Sequence, residues 1–439
     1  MLESSARSIK QAFKTMHAVL FARILTFISL AACAACTPAS APESKQAAQA
    51  DWEKVYLERL ERQRTSNLRG GGIGRYDPTV PVKGAKTIQA IPRATQAVFS
   101  DATMQQASTY AREHNSSALI VWQDGAIVFE RYFGDFNAKT PLVSKSLAKP
   151  LTALLVGRAI KQGYIKSLDQ RASDFITEWR GVDGKEDITL HQLLSMRSGL
   201  LAQGFSNDPQ SVLNRAYLHP RHDEEIINNY PLTDPPGSVY EYSNANAELI
   251  APIIQRATGM AYADYVTTAL LEPLGAAGGE VWINRPGGTA HSGCCVMLPA
   301  HTWLKMAILV QNDGVWNGKA LLPEGYAERM RTPTEQNIYH GMGVWAAGPY
   351  IERRGSSNPR VKVGRTLHGE PYADKDLTLF DGNSNQVVYM IPSQNMIVLR
   401  TGNYSPRDLP WDNSYLPNLF IRDFAKQTGM PLPQPQPVR

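Results

Sequence analysis

The alternation of apolar and polar residues divides this 439-residue chain into a few well-marked stretches. In "VSKSLAKPLTALLVGRAIKQG", Leu147, Leu151, Leu154, Leu155 and Ile160 recur at three- and four-residue spacing, which predicts a helix with a buried face. Pro150 is tolerated only in the first turn, where its missing N–H costs nothing, and Gly163 is a suitable stop. The helix is therefore predicted to start near Ser146. The same periodicity marks residues 51–64, 101–114 and 415–428, together with "TLHQLLSMRSGL" and with "NAELIAPIIQRATG", which Gly259 caps. Other runs read as strands. "SALIVWQDGAIVFERYF" forms a hairpin around Asp124 and Gly125, and "QVVYMIP" with "MIVLRTGN" forms a second over Pro392 to Asn395. Strands near both ends with helices between predict an α/β fold. One antiparallel sheet, completed by both ends of the chain, is flanked by helices, and a mainly helical lobe is inserted as a second unit.

The N-terminus changes that picture. Arg7, Lys10, Lys14 and Arg23 lead into a short apolar run, Ile24 to Ala32, too short to span a bilayer. Residues 1–32 read as a signal peptide, with translation starting at Met1 or Met16. Leu30-Ala31-Ala32-Cys33 resembles the lipobox of bacterial lipoproteins, which makes Cys33 the lipidated first residue; Cys36 is weaker, lacking the preceding Leu. An ordinary cleaved signal is the alternative. No acidic residue follows Cys33 directly, which by resemblance to Gram-negative lipoproteins implies an outer-membrane anchor facing the periplasm. Residues 33–50 then form a flexible linker, 51–98 an N-terminal extension, 99–430 the main domain, and 431–439 a Pro-rich tail expected to be disordered.

Composition narrows the function classes. Hydrophobic content of 43% and charged content of 19% suit a soluble domain with a sizeable core. The net charge of +5 is scattered, without Lys/Arg runs or zinc-finger signatures, so no nucleic-acid partner is expected. The glycine cluster in "RGGGIGRYDPTVP" lacks a preceding strand and is not a phosphate loop. Adjacent cysteines bond only with strained local geometry, so Cys294 and Cys295 read as two small buried residues rather than a disulfide. His219 and His222 flank Pro220, which breaks the helix that would align them on a metal. Neither a metal nor an organic cofactor is expected, and the oligomeric state is not specified.

Two segments carry candidate chemistry. Ser146 and Lys149 lie at i and i+3 on one helical face, within reach of proton exchange, beside the positive end of the helix dipole. A desolvated lysine there can act as a base. By themselves the two residues also fit an exposed cap with a solvated lysine. In "PPGSVYEYSNANAEL", Asn244 reads equally as a helix N-cap, and Tyr242 as a core aromatic or, beside cations, as a general base.

Together these residues resemble the serine β-lactamase-like superfamily, which includes penicillin-binding proteins and class C β-lactamases. The resemblance is strongest to its branch of related esterases and 6-aminohexanoate-dimer hydrolases. It runs from about residue 100 to 428: "VSKSLAKPLTALLVGRAIKQGYIKSLD", "ITLHQLLSMRSGL", "PPGSVYEYSNANAELIAPII", "LLEPLGA", "WLKMAILVQNDGVWNGKALLP" and "HGMGVW" occur in the family's order. It implies a β-lactamase-like fold and a serine hydrolase that takes small ester, amide or peptide-like substrates. Ser146 would be the acylated nucleophile, Lys149 its proton acceptor or electrostatic partner, and Tyr242 the relay of a proton to the leaving group. Asn244 would orient Lys149 and the substrate, and Trp345 would line the site. Where relatives carry Lys–Thr–Gly, His–x–Gly or Trp–x–Gly, this chain has Phe380–Asp381–Gly382, followed by Asn383 as the second oxyanion donor beside the Ser146 amide. The missing lysine, with Asp381 adding negative charge, implies a preference for short neutral esters over carboxylate-bearing β-lactams, unless an arginine such as Arg365 supplies the clamp. The alternatives are a D-alanyl-D-alanine carboxypeptidase or β-lactamase and, in another class, a non-catalytic cell-wall binding or sensing lipoprotein.

Overall fold

The computed structural model describes residues 45–66, 75–355 and 365–438. Cys33, the signal segment and most of the linker lie outside the described residues. Backbone contacts set Met1–Ala48 apart from a compact unit, Gln49–Arg439, which holds everything that follows. Among the described residues no helix is long and apolar enough to cross a membrane.

The chain begins with α1 (Lys45–Thr65) and β1 (Thr79–Val82), then α2 (Asp101–Glu113) and the hairpin β2 (Ser116–Gln123) and β3 (Ala126–Tyr132). Asp124 and Gly125 both take positive φ, as a two-residue hairpin turn requires. After β4 (Leu142–Val143) comes α3 (Ala148–Lys161), the predicted nucleophile helix, with Pro150 in its first turn and Gly163 just past its end. The inserted lobe follows, with α4 (His222–Asn229), α5 (Asn244–Glu248) and α6 (Ile250–Thr258), which ends on left-handed Gly259. "TLHQLLSMRSGL" yields only a five-residue helix, Leu190–Leu194, started by a Thr189–Gln192 capping box; Met196 turns left-handed soon after. The chain closes with β5 (Gly279–Trp282), β6 (Val296–Leu298), α7 (Ala300–Gln311), β7 (Trp345–Ala346), β8 (Thr378–Gly382), β9 (Gln386–Ile391), β10 (Met396–Gly402) and α8 (Tyr415–Thr428).

The main sheet is antiparallel, in the order β3-β2-β10-β9-β8-β7, so both ends of the chain contribute to it as the pattern predicts. Its strands are buried on both faces. Ile120, Phe380, Val388, Ile397 and Leu399 share a core with Leu151, Leu154, Leu155 and Met306 of α3 and α7. Leu119, Val121, Leu379, Tyr389 and Val398 pack instead with Ala107 and Ala111 of α2 and with Phe420 and Phe424 of α8. A second antiparallel sheet, β1-β5-β6-β4, was not predicted; its strands are two to four residues long and join segments far apart in sequence.

The C-terminal tail departs from expectation. Residues 431–438 are described, and Gln436 is buried. Its amide donates to the Ala347 carbonyl at 2.6 Å, its Oε1 accepts from the Tyr372 amide at 3.0 Å, and its own N–H donates to the Tyr372 carbonyl at 2.8 Å. An extended Pro-rich strand needs no internal hydrogen bonds and leaves its polar groups for the surface it lies on.

Candidate active site

Ser146 sits in a single 3₁₀ turn, Lys145–Leu147, that leads directly into α3. The turn is pinned from behind by Ser144, whose amide donates to the Val296 carbonyl at 3.0 Å and whose hydroxyl accepts from the Val296 amide at 3.1 Å. Lys145 takes φ 49°, a left-handed conformation that swings the chain from β4 into the helix. Two glycines let other elements close on this turn. Gly343, at φ 73°, lies where a Cβ would be 2.8 Å from the Lys149 carbonyl carbon. At Gly382 a Cβ would meet the Ser146 nitrogen at 3.1 Å and the Ser144 oxygen at 3.0 Å, so β8 can run against the nucleophile only with glycine there.

The structure brings the Ser–x–x–Lys and Tyr–x–Asn segments onto one oxygen. Tyr242 Oη donates to Ser146 Oγ at 2.8 Å, and Lys149 Nζ approaches the same oxygen at 3.2 Å. Lys149 is 3% exposed and also donates to Asn244 Oδ1 at 2.7 Å and to the Gly293 carbonyl at 3.0 Å. Three acceptors thus surround an ammonium that has three N–H groups. The ammonium lies 4.8 Å from the Tyr242 ring centre, within cation–π range. Asn244 does not act as the N-cap: Ser243 holds that position, Asn244 is the first residue of α5, and its side chain turns to Lys149. The Gly293 carbonyl was not foreseen, because a backbone acceptor leaves no side-chain signature. Gln203 was also missed; its Oε1 accepts from the Asn244 amide at 3.0 Å and fixes the start of α5.

The third motif separates. Gly382 lies against the Ser146 amide, and Asn383 follows in the 3₁₀ turn Asn383–Asn385. Phe380, expected to line the site, is fully buried in the core shared with α3 and α7 and offers a substrate no surface. Trp345 is 4% exposed, edge-on to His340 at 4.7 Å, with the Arg354 guanidinium 4.4 Å from its ring centre. Arg354 donates to Asp381 Oδ2 at 2.6 Å, so Asp381 is compensated rather than adding free negative charge. Burial raises the Asp381 pKa, with Arg354 pulling the other way. The preference for neutral substrates, argued from Phe380 and Asp381, loses both its premises. The arginine at this strand is Arg354, from the strand Arg353–Gly355, rather than Arg365.

A layer behind Gly293 holds the remaining titratable groups. His222, Glu248 and His291 are fully buried, with ligand-type atoms mutually within 4.8 Å. His222 Nε2 and His291 Nδ1 flank the carboxylate at 3.5 and 3.7 Å. An imidazole binds a metal in its own ring plane, at about 2.0–2.1 Å for zinc. These two rings stack with centroids 3.9 Å apart and 12° between planes, so they cannot both aim at one ion in this arrangement. The trio instead places a buried carboxylate behind the loop that holds Lys149: a Cβ on Gly293 would lie 3.0 Å from Glu248 Oε1. Burial pushes the Glu248 pKa up, but the two imidazoles outweigh it and hold the carboxyl at about 2. Beside this layer Cys294 and Cys295 form a vicinal disulfide, correcting the expectation of two free thiols. Both are buried against Trp282, Tyr56 and Leu218, and Cys295 takes φ 70°.

Comparison with known proteins places this geometry in a family. The Beta-lactamase family model matches residues 101–408. Esterase EstB of Burkholderia gladioli is 29% identical over 208 residues, 43% of this chain and 52% of that protein. The 6-aminohexanoate-dimer hydrolase of Paenarthrobacter ureafaciens is 23% identical over 295 residues, 64% of this chain and 71% of that protein. The chain spans as little as 33% of a curated relative's length, the Staphylococcus aureus Protein flp. Among solved structures, a Bacillus anthracis protein described as a candidate 6-aminohexanoate-dimer hydrolase superposes with a TM-score of 0.65 at 19% identity. That match covers 87% of this chain and 97% of the other, a likeness of fold.

Proposed function

This chain belongs to the Beta-lactamase family and has its fold, and from that premise we propose that it is a serine hydrolase cleaving ester or amide bonds through an acyl-enzyme on Ser146. The observation that carries the reading is the pair of contacts to Ser146 Oγ, 2.8 Å from Tyr242 Oη and 3.2 Å from Lys149 Nζ. With all three Lys149 N–H groups engaged, Tyr242 in its phenolate form is the nearer acceptor for the Ser146 proton, and Lys149 supplies the neighbouring positive charge. Ser146 Oγ then attacks the carbonyl carbon. The oxyanion forms beside the Ser146 amide, where Gly382 lets β8 approach, and the Asn383 amide is the second donor. Tyr242 returns its proton to the leaving alcohol or amine. Water attacks the acyl-enzyme by the reverse proton path and restores Ser146. An esterase and a 6-aminohexanoate-dimer hydrolase among the relatives support an ester or amide as the bond.

The test is intact-mass measurement after mixing with a panel of aryl esters, short amides and penicillins, on wild type and Ser146→Ala. Wild type is expected to gain the mass of an ester or amide acyl group, and the variant nothing. A stable adduct with penicillin alone moves the reading to a penicillin-binding enzyme, and no adduct with any compound leaves a non-catalytic binding module.

The Leu30-Ala31-Ala32-Cys33 lipobox supports lipid anchoring at Cys33, which would place the domain in the periplasm at the outer membrane. Cys33→Ser is expected to move the protein from the membrane to the soluble fraction. Release only by Cys36→Ser, or a soluble wild type, overturns the assignment.

A further inference from the structure

Lys145, the residue before the nucleophile, carries a charge that the proposed chemistry does not use. Its ammonium is largely buried and donates to the Tyr76 hydroxyl, with the Tyr76 ring centre 5.0 Å away. No carboxylate among the described residues pairs with it. Other buried cations of this chain are better provided for: Lys149 has three acceptors, Arg400 has Ser116 and four carbonyls, and Arg59 has three carbonyls. An ammonium has three N–H groups, so two donors of Lys145 have no protein acceptor in this structure. Leaving a buried charge so poorly matched is costly, and the cost is recovered when an anion arrives.

The surroundings describe what would arrive. Tyr76 meets Trp282 edge-on at 5.5 Å, Trp282 meets Tyr217 at 5.7 Å, and Tyr217 meets Phe205 at 5.9 Å. Phe205, at the outer end of this aromatic run, is 47% exposed. Tyr217 also reaches Cys294, one residue from the Gly293 carbonyl that holds Lys149. Burial keeps the Tyr76 phenol above its ordinary range, so its hydroxyl stays neutral and leaves the charge of Lys145 uncancelled. Burial lowers Lys145 to about 8, which leaves it charged at neutral pH.

We propose that Lys145, with Tyr76 beside it, binds a carboxylate on the substrate, so that the enzyme favours esters or amides bearing an acidic group a few bonds from the scissile carbonyl. The proposal rests on Ser146 being the nucleophile, since only then does Lys145 border the reacting carbon. It moves the missing cation of the third motif to the opposite end of the nucleophile turn.

The experiment compares kcat/KM for two matched pairs: mono-p-nitrophenyl glutarate against p-nitrophenyl butyrate, and 4-acetoxybenzoate against its methyl ester. The first pair carries the charge in the acyl half and the second in the leaving group. Wild type is expected to favour the anionic member of at least one pair, and that pair identifies the half. In Lys145→Met the anionic-to-neutral ratio should fall about ten- to hundredfold, mainly through KM, as for loss of a charge-assisted hydrogen bond. Lys145→Arg should restore most of the ratio, and Tyr76→Phe should lower it less. Titration of active sites with a serine-directed phosphonate shows that each variant is folded. Unchanged ratios in Lys145→Met, or no anionic preference in wild type, overturn the proposal. Turnover that survives in Ser146→Ala overturns the nucleophile assignment instead.

Discussion

Tyr242 Oη and Ser146 Oγ, 96 residues apart in sequence, meet at 2.8 Å. One sits in the loop before α5 of the inserted lobe, the other in the turn between the small sheet and α3, so their contact depends on how the lobe packs. Lys149 spans the same join, bonded to Ser146 on one side and to Asn244 and Gly293 on the other. It is therefore both the neighbouring charge and the tie that fixes the Ser146–Tyr242 distance.

Lys149→Ala and Tyr242→Phe should each lower kcat by about two to four orders of magnitude, the usual loss for an acid–base partner. The double variant should be scarcely worse than the poorer single one, because the residues act as a unit. Steady-state kinetics on one ester checks this. A Tyr242→Phe enzyme with unchanged kcat would assign the proton to Lys149 alone.

The sequence made the Ser146–Lys149 spacing, the Asp124–Gly125 turn and the late hairpin legible, because each is a local pattern with a local cause. It did not reveal which way Phe380 faces. "TLF" and "QVVYMI" are apolar on both faces, and a strand buried on both sides loses the alternation that sets direction. The small sheet was hidden for another reason: Val80 pairs with Val281, and Leu142 with Leu298, across gaps that no periodicity spans. Arg354 and the Gly293 carbonyl were invisible for the same reason, since neither belongs to a motif near the group it serves.

Arg354 and Asp381 are a buried pair, with side chains 4% and 17% exposed. Arg354→Leu should cost about 3–5 kcal/mol, because it leaves Asp381 without its cation. Adding Asp381→Leu should recover most of the loss, since two apolar side chains replace the pair. Urea denaturation of the three variants decides it. A double variant no more stable than Arg354→Leu would show that the ion pair is not the source of the cost.

Gln436 anchors the tail through a side chain that is 4% exposed and bonded to Ala347 and Tyr372. Gln436→Ala should destabilise by about 1–3 kcal/mol, because the Ala347 carbonyl and the Tyr372 amide lose a buried partner. It should also speed proteolysis of residues after Met430. A thermal midpoint and cleavage rate equal to wild type would mean that the tail contributes no stability.

Acid should unfold this protein early. His114, His219, His291, His340 and His368 are all buried, and burial is the main cause that lowers each pKa, to about 4, 4, 3, 3 and 3. In the unfolded chain a histidine takes up its proton near pH 6.5. Between 6.5 and these lowered values the unfolded state binds more protons than the folded one, so stability is full above 6.5 and falls as pH drops. Each such histidine contributes a slope of about 1.4 kcal/mol per pH unit in that window. Glu130 and Glu248 act in the same direction but lower. Burial raises both, yet the imidazole partners and, for Glu130, Tyr132 and Arg93 hold each at about 2, so their stabilisation is present above pH 4.5 and lost toward 2. Urea midpoints should therefore drop steeply from pH 6.5 to 4.5 and continue to drop below. Calorimetric unfolding at pH 5.5, in buffers of different ionisation enthalpy, should show more than one proton taken up per molecule. A midpoint that stays flat from pH 7 to 5, with no proton uptake, would mean that these imidazoles titrate alike in both states.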